Sequence, residues 1–474
     1  MSELHKKTKE ITELVFKSSR KAREETNAEP EPHLTQPITW PVECVVGPGL
    51  EGAIACESKI GYVNGLKGWL IYRGYDIFDL CAYSTYEEVS YLLLYGYLPT
   101  AVQLKAFKKN LIQCRNVPNT LRLLMSFSIE EMNPMAVLRL GTNLMRQEFT
   151  YIDRDGLVPK RGKVIGTDED SIPMETVPRG EEHAIYEFKD SDPFKSKELS
   201  KFDLEPAIGY KSCYRLISGV ATIAAAIVRI RQQKFPIDSD PELSHAANLI
   251  YMMTGKQPTP EEERIMDIAL ILHADHGINA STFAAMVVAS TLSDMYFSVG
   301  SGIAALNGPL HGGANEQVLH MLREIGEVSN VKSWYKKSRK KKQKIMGFGH
   351  RVYKAYDPRA RILRPLAKHL AKRNKESGRL FQVAKALEKE VISTLGVKKR
   401  IFPNVDFYSG IVYDSLGIPP EIFTPIFAVS RVSGWTSRIM EYLEKNRIFR
   451  PRAIYIGQFN KKYVSLEERT NKTR

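Results

Sequence analysis

The alternation of apolar and polar positions divides the chain into unequal stretches. Within residues 1–40, Leu4, Ile11, Leu14 and Val15 fall on one stripe of a short amphipathic helix. That stretch ends in EPEPHLTQPITWP, a Pro-containing run that cannot continue a helix, so residues 1–42 read as an N-terminal extension. From Glu43 to Ile77 the short β-prone runs CVVG, GAIAC, IGYVNG and GWLIYRG are separated by Gly and Asn, which predicts a small antiparallel sheet. Beyond Phe78 the period changes. TYEEVSYLLLYGYLPT and TAVQLKAFKKNLIQC carry apolar residues at helical spacing. Residues 150–205 break the rhythm; they are polar, studded with Gly and Pro, and read as an insertion or long loop. Helical patterning resumes at Tyr214 with RLISGVATIAAAIVRIRQQ and continues through EEERIMDIALILHADHG and STFAAMVVASTLSDMYFSV. The last segment is apolar nearly all round, as expected of a helix buried in a large core. No repeat or coiled-coil period is visible. The predicted fold class is mostly α, with a minor sheet.

Composition narrows the class. At 474 residues, 43% hydrophobic and 26% charged, the chain can bury a large core without disulfide or metal staples. That excludes a disordered protein, a fibre and a small disulfide scaffold. No charge-free apolar stretch is long enough to suggest a membrane span. The five cysteines are widely spaced, odd in number and without CxxC, which points to reduced thiols in a cytosol-like compartment. The N-terminus has no apolar signal core, and Glu3, Glu10, Glu13, Glu24 and Glu25 are wrong for a transit peptide, so the cytoplasm is the expected location.

Charge adds a second function class. Lys and Arg number 68 against 54 Asp and Glu, a net charge of +14, which favours anionic partners such as nucleic acid, acidic lipid or polyanionic small molecules. The run YKKSRKKKQK at 335–344 could neutralise phosphates. Yet no known nucleic-acid module surrounds it, and no aromatic side chains are interleaved for base stacking. A solvated basic face is the simpler reading, with a nucleic-acid-binding protein as the competing class.

The candidate chemistry is concentrated late in the chain. His273, His276, His311, His320 and His350 lie within one stretch. In HADHGINAST, a helix would put His273 and His276 on one face. Zinc would want a carboxylate or third His in register, and Asp275 falls elsewhere, so backbone-bonded core histidines compete with a ligand pair. In NGPLHGGANE, His311 lies at or just before a helix N-terminus, where the dipole disfavours protonation and a neutral, donating imidazole is expected; a capping His in a Gly-rich turn fits equally. In MGFGHRVYKAYDPRA, Gly347 and Gly349 flank Phe348 and precede His350, Lys354 and Arg359, a grouping suited to an anionic ligand. In PNVDFYSG, Asp406 sits between Val405 and Phe407; such surroundings raise a carboxyl pKa and improve it as a base, although an N-cap is the common alternative. Arg431 and Arg450 add guanidinium groups, and several converging would suit a di- or tricarboxylate.

Taken in order, HADHGINAST, GPLHGGANE, MGFGHRVYKAYDPR, PNVDFYSG and the late VSR and RPR segments resemble the citrate synthase family. GLEGAIACESKIGYVNGLKGWLIYRGYDIFDL is similar to the start of its bacterial-type members, so the resemblance spans roughly residues 43–145 and 210–458. It implies a two-domain helical fold: a large domain over 43–313, a small one over 314–426, and a C-terminal segment, 427–474, returning to the large domain. It implies that Asp406 takes a proton from the acetyl-CoA methyl, that His311 donates a hydrogen bond to the thioester oxygen, and that His350 protonates the oxaloacetate ketone. His276, Arg359 and Arg431 would hold the oxaloacetate carboxylates, with Arg450 reaching in from a neighbouring subunit, so a homodimer or higher homo-oligomer is implied. Lys354 and Lys399 would meet CoA phosphates. Water would then hydrolyse citryl-CoA to citrate and CoA. No metal, other cofactor, nucleic acid or membrane is implied. 2-Methylcitrate synthase, which uses propionyl-CoA, shares these residues, and one methylene in the acyl pocket discriminates by only about 1–3 kcal/mol. This sequence departs at Gly277, where the family commonly has Glu, and in the extension and insertion, which shorter bacterial members lack.

Overall fold

The computed structural model describes residues 8–29, 40–150 and 208–460, and positions 463, 465, 466 and 469 beyond them. Apart from Thr150, the expected 150–205 insertion lies outside the described residues. In chain order the elements are α1 (Lys9–Thr26), β1 (Gly61–Asn64), β2 (Trp69–Tyr72), β3 (Tyr75–Asp76), α2 (Ile77–Tyr83), α3 (Tyr86–Tyr95), α4 (Ala101–Gln113), α5 (Pro118–Leu124), α6 (Pro134–Thr150) and α7 (Ile208–Arg231). They continue as α8 (His245–Thr254), α9 (Pro260–His273), α10 (Ala280–Ser290), α11 (Met295–Leu306), α12 (Ala314–Ile325), α13 (Val331–Lys340), α14 (Pro358–Leu370), α15 (Lys375–Val391), α16 (Val405–Ser415) and α17 (Phe423–Leu443).

Capping chemistry sets many of the boundaries. Thr85 and Thr100 accept hydrogen bonds from the third N–H of α3 and α4, and Gly96 closes α3 in a left-handed conformation. Thr259 and Glu262 form a reciprocal box at the start of α9, with Pro260 supplying no orphan N–H. The sheet is smaller than the sequence suggests. Only IGYVNG and GWLIYRG form long strands, paired antiparallel with Gly61 opposite Tyr72. β3 closes a hairpin on β2 through Arg73 and Gly74, both at positive φ. CVVG and GAIAC are not strands; a single bridge from Gly47 to Glu51 is all that forms there.

The core centres on α7 and α17. Val220, Ile223, Ala224 and Ile227 of α7 are buried, as is nearly every residue of α17. α7 is long and apolar enough to cross a membrane by composition, but its apolar surface is spent inside this core. The segment STFAAMVVASTLSDMYFSV is two helices rather than one. Leu292 adopts φ 64, and Asp294 caps α11 by accepting from Phe297 N–H. α17 begins at Phe423, so the expected domain boundary at 427 falls inside a helix.

The N-terminal extension is anchored. Ile11, Val15 and Ala22 of α1 are buried, and Phe16 meets Tyr83 of α2 edge-on at 5.3 Å. The predicted apolar stripe is therefore a packing face, although Leu4 lies outside the described residues.

Candidate active site

The site begins where α9 stops. His273 is the last residue of the helix, and Ala274 caps it, so His273 and His276 do not share a helical face. His273 donates from Nδ1 to the Ala269 carbonyl at 2.8 Å, and burial pushes its pKa down to about 3. It is a core histidine. Asp275 is buried and receives both Nε and Nη2 of Arg438, at 2.8 and 2.7 Å. It also accepts the Gly277 N–H at 3.1 Å. That turn needs φ +63 at Gly277, where a glycine is favoured over any side chain. The turn frees His276, which places Nε2 3.2 Å from the Tyr353 hydroxyl and its ring 5.2 Å from that of His350.

Backbone N–H groups face one nitrogen of each of the His311 and His350 rings. Ser281 meets His311 Nε2 with its backbone N–H at 3.3 Å and its hydroxyl at 2.9 Å; with Nε2 accepting the backbone N–H, a neutral ring carries its proton on Nδ1. Val352 and Tyr353 N–H groups donate to His350 Nδ1 at 3.0 and 3.1 Å, which leaves the proton on Nε2. Both rings are held near pKa 4, chiefly by burial and then by the positive charge of Arg431 beside His311 and Arg359 beside His350. At neutral pH both are uncharged hydrogen-bond donors. The expected neutrality of His311 stands, but burial rather than a helix dipole is its main cause. His311 lies three residues before α12, in a turn closed by its own N–H on Gly308.

Asp406 is the second residue of α16. Asn404, not Asp406, caps that helix, by accepting the Asp406 N–H at 3.1 Å. Asp406 Oδ1 is buried without a hydrogen-bond partner among the described residues. Burial pushes its pKa up to about 7, against the opposing pull of Arg359. Asn404 also donates through Nδ2 to the Gly349 carbonyl at 3.0 Å, and Asn404 N–H reaches the Gly347 carbonyl at 2.9 Å. The start of the Asp406 helix and the His350 loop are thus tied together. The glycines of that loop serve packing: a Cβ on Gly347 would lie 2.8 Å from both Phe407 and Val318.

Two buried arginines complete the cluster. Asp357 caps α14 and takes Arg359 Nε at 3.0 Å and Nη2 at 2.8 Å, while its Oδ2 also accepts Val405 N–H at 3.1 Å. Arg431 donates from Nε to the His273 carbonyl, and its Nη2 is buried without a partner among the described residues. Burial lowers Arg431 to about 10, so it stays charged near neutrality. Its charge is felt by His276, His311 and Asp406 alike. His276 and His350 thus stand ring against ring, Arg359 acts on His276, His350 and Asp406, and Arg431 acts on His276, His311 and Asp406.

The other predicted residues lie outside this cluster. Lys354 is exposed, hangs from the Gly65 carbonyl by its N–H at 2.9 Å and adds to the positive field on His350. Lys399 is exposed in a helical turn, Val397–Lys399, that leads into the strand-like Phe348–Pro403 bridge. Arg450 is exposed in the extended segment after α17, and no contact with the cluster forms among the described residues. No group of three metal-ligating side chains occurs among the described residues. Sequence reading missed Ser281, Tyr353, Asp357 and Asn404. Asp357 and Asn404 carried a usable signal, since each directly precedes a helix start; Ser281 carried none, being thirty residues from the ring it orients.

Comparison with known proteins identifies the family. The family model described as "Citrate synthase, C-terminal domain" matches residues 49–452. The citrate synthase of Deinococcus radiodurans is 40% identical over 424 residues, covering 90% of this chain and 99% of that one. The crystal structure of citrate synthase from Pyrobaculum aerophilum superposes with a TM-score of 0.73 at 38% identity, over 92% of this chain and all of that one. Citrate synthase from Thermoplasma acidophilum, solved as a ternary complex with carboxymethyl coenzyme A and oxaloacetate, superposes with a TM-score of 0.73 at 32% identity, over 90% of this chain and all of that one. With a family match over most of its length and relatives of up to 40% identity aligned over nearly all of theirs, this chain belongs to the citrate synthase family of acyltransferases.

Proposed function

We propose that this protein condenses acetyl-CoA with oxaloacetate and hydrolyses the resulting citryl-CoA to citrate and CoA, with the six clustered residues as its machinery. The observation that carries the reading is the pairing of a buried, unpartnered carboxyl titrating near 7 with two neutral, donating imidazoles. A thioester α-proton is too weakly acidic for a carboxylate unless the enolate is stabilised as it forms. Asp406 takes the methyl proton, and His311 donates Nδ1–H to the thioester oxygen. The nucleophilic carbon then attacks the oxaloacetate ketone, which receives its proton from His350 Nε2–H. His276, Arg359 and Arg431 hold the carboxylates; the unpartnered Nη2 of Arg431 suits such a contact. Lys354 and Lys399 meet the CoA phosphates. Water cleaves the thioester afterwards.

The domain division belongs to the same reading. α12 to α16 form the small domain, carrying His350, Arg359 and Asp406, and the polypeptide returns to the large domain at α17. Closure of the small domain keeps water from the enolate. Arg450 completes the site of a partner subunit, so the working unit is a homodimer located in the cytoplasm. Thiol release from acetyl-CoA, with and without oxaloacetate, tests the activity. Oxaloacetate-dependent release is expected, with kcat/KM for acetyl-CoA about tenfold or more above that for propionyl-CoA. Release that ignores oxaloacetate refutes the reading, and a preference for propionyl-CoA reassigns the acyl substrate.

A further inference from the structure

The N-terminal extension touches the helix that presents Arg359. Ser18 shares its hydroxyl proton between the Leu14 carbonyl of its own helix and the Arg361 carbonyl in the first turn of α14, each at 3.0 Å. Glu25 is ion-paired to the Arg361 guanidinium, which is buried and lies over the Tyr356 ring at 4.5 Å. At the other end of α14, His369 Nδ1 lies 3.5 Å from Glu10, and its Nε2 lies 3.2 Å from Glu261 of α9. Glu29, just beyond α1, reaches Arg400 at 2.9 Å. The opposite side of α1 packs on α2 through Phe16 and Tyr83. α1 therefore grips α14 at both ends while resting on α2, and Glu261 and Glu262 of α9 add a second grip on His369 and Arg373.

These contacts join the two halves of the carboxylate site. Arg359 opens α14, two residues before Arg361, and His276 follows the end of α9. α14 packs on α16 as well as on α1, so α1 is one of the elements that hold it in place. We propose that α1 is a positioning element for oxaloacetate: Ser18 and Glu25 fix the first turn of α14, and through it the reach of Arg359 toward His276 and Arg431. This rests on the condensation reading above. It assigns a role to a segment that none of the expected chemistry uses. α1 touches no substrate; it acts through α14.

The test compares the wild type with Ser18→Ala/Glu25→Gln, which leaves the buried apolar face of α1 intact, and with a variant lacking residues 1–29. The expected result is a rise of about fivefold or more in KM for oxaloacetate, with KM for acetyl-CoA unchanged and kcat within about twofold. Binding of oxaloacetate alone, measured by calorimetry, should weaken by the same factor. Restoring the charge pair with Ser18 kept and Glu25→Asp should recover most of the affinity. A lowered melting temperature with unchanged oxaloacetate affinity would make α1 a purely structural support and overturn the proposal. Should the truncated protein not fold, the double variant decides alone. If the wild type itself shows no oxaloacetate-dependent thiol release, the condensation reading fails; if it does and the variants match it, only the role of α1 fails.

Discussion

Asp406→Asn separates what the carboxyl does for catalysis from what it costs the fold. In the native protein the carboxyl titrates near 7, against an ordinary value of 3.8. Between those two pH values the folded protein holds a proton that the unfolded chain has released. Stability must therefore fall as pH rises through that window, and level off above it. About three pH units at 1.36 kcal/mol each give a loss on the order of 4 kcal/mol by pH 8. Asparagine cannot ionise and escapes this loss. Thermal melts of both proteins from pH 4 to pH 8.5 should show the variant gaining on the wild type as pH rises, with the gap widening up to about pH 7 and constant beyond. Condensation by the variant should fall by about a hundredfold to ten-thousandfold, the range for a lost general base. The wild-type rate should have an acidic limb near pH 7, because the two histidines, held near 4, do not titrate there. A melting gap independent of pH would mean the carboxyl is ionised normally in the folded protein, and the argument for its basicity would collapse.

Two further outcomes bear on the assembly and the packing. Mixing inactive Asp406→Asn protein with inactive Arg450→Ala protein under conditions of subunit exchange should restore part of the activity, because one site of each mixed dimer then carries neither defect; exchange without recovery would show that Arg450 serves its own chain. Gly434→Ala should destabilise more than Gly277→Ala, as measured by denaturant melts. A Cβ at Gly434 would lie 2.1 Å from the Ala274 carbonyl oxygen, whereas at Gly277 it meets only Val63 at 3.9 Å and the cost is the left-handed backbone alone, about 1–2 kcal/mol. Equal losses would mean α17 can move away from the end of α9.

Much of this protein is written locally. Helix period, threonine caps and the Gly-Pro punctuation act over a few residues, so α3, α4 and α9 could be read from the chain with their starts nearly in place. The apolar neighbours of Asp406 announced a raised pKa in the same way, since part of its desolvating environment is its own helix. The helical reading of HADH failed because its outcome depends on Arg438, far away in sequence, whose pairing with Asp275 holds the turn that carries His276 off the helix. The break at Leu292 likewise divides a segment whose composition is uniformly apolar. The tautomer of His350 rests on which backbone N–H groups happen to face its ring, and composition says nothing of direction. The glycines near His350 looked like a ligand loop, yet the close approach of Phe407 accounts for Gly347. The extension looked like an appendage because its amphipathic stripe shows that α1 must pack, but not on what; that α1 lands on the helix bearing Arg359 was decided by tertiary structure, where residues more than three hundred positions apart come within hydrogen-bonding range.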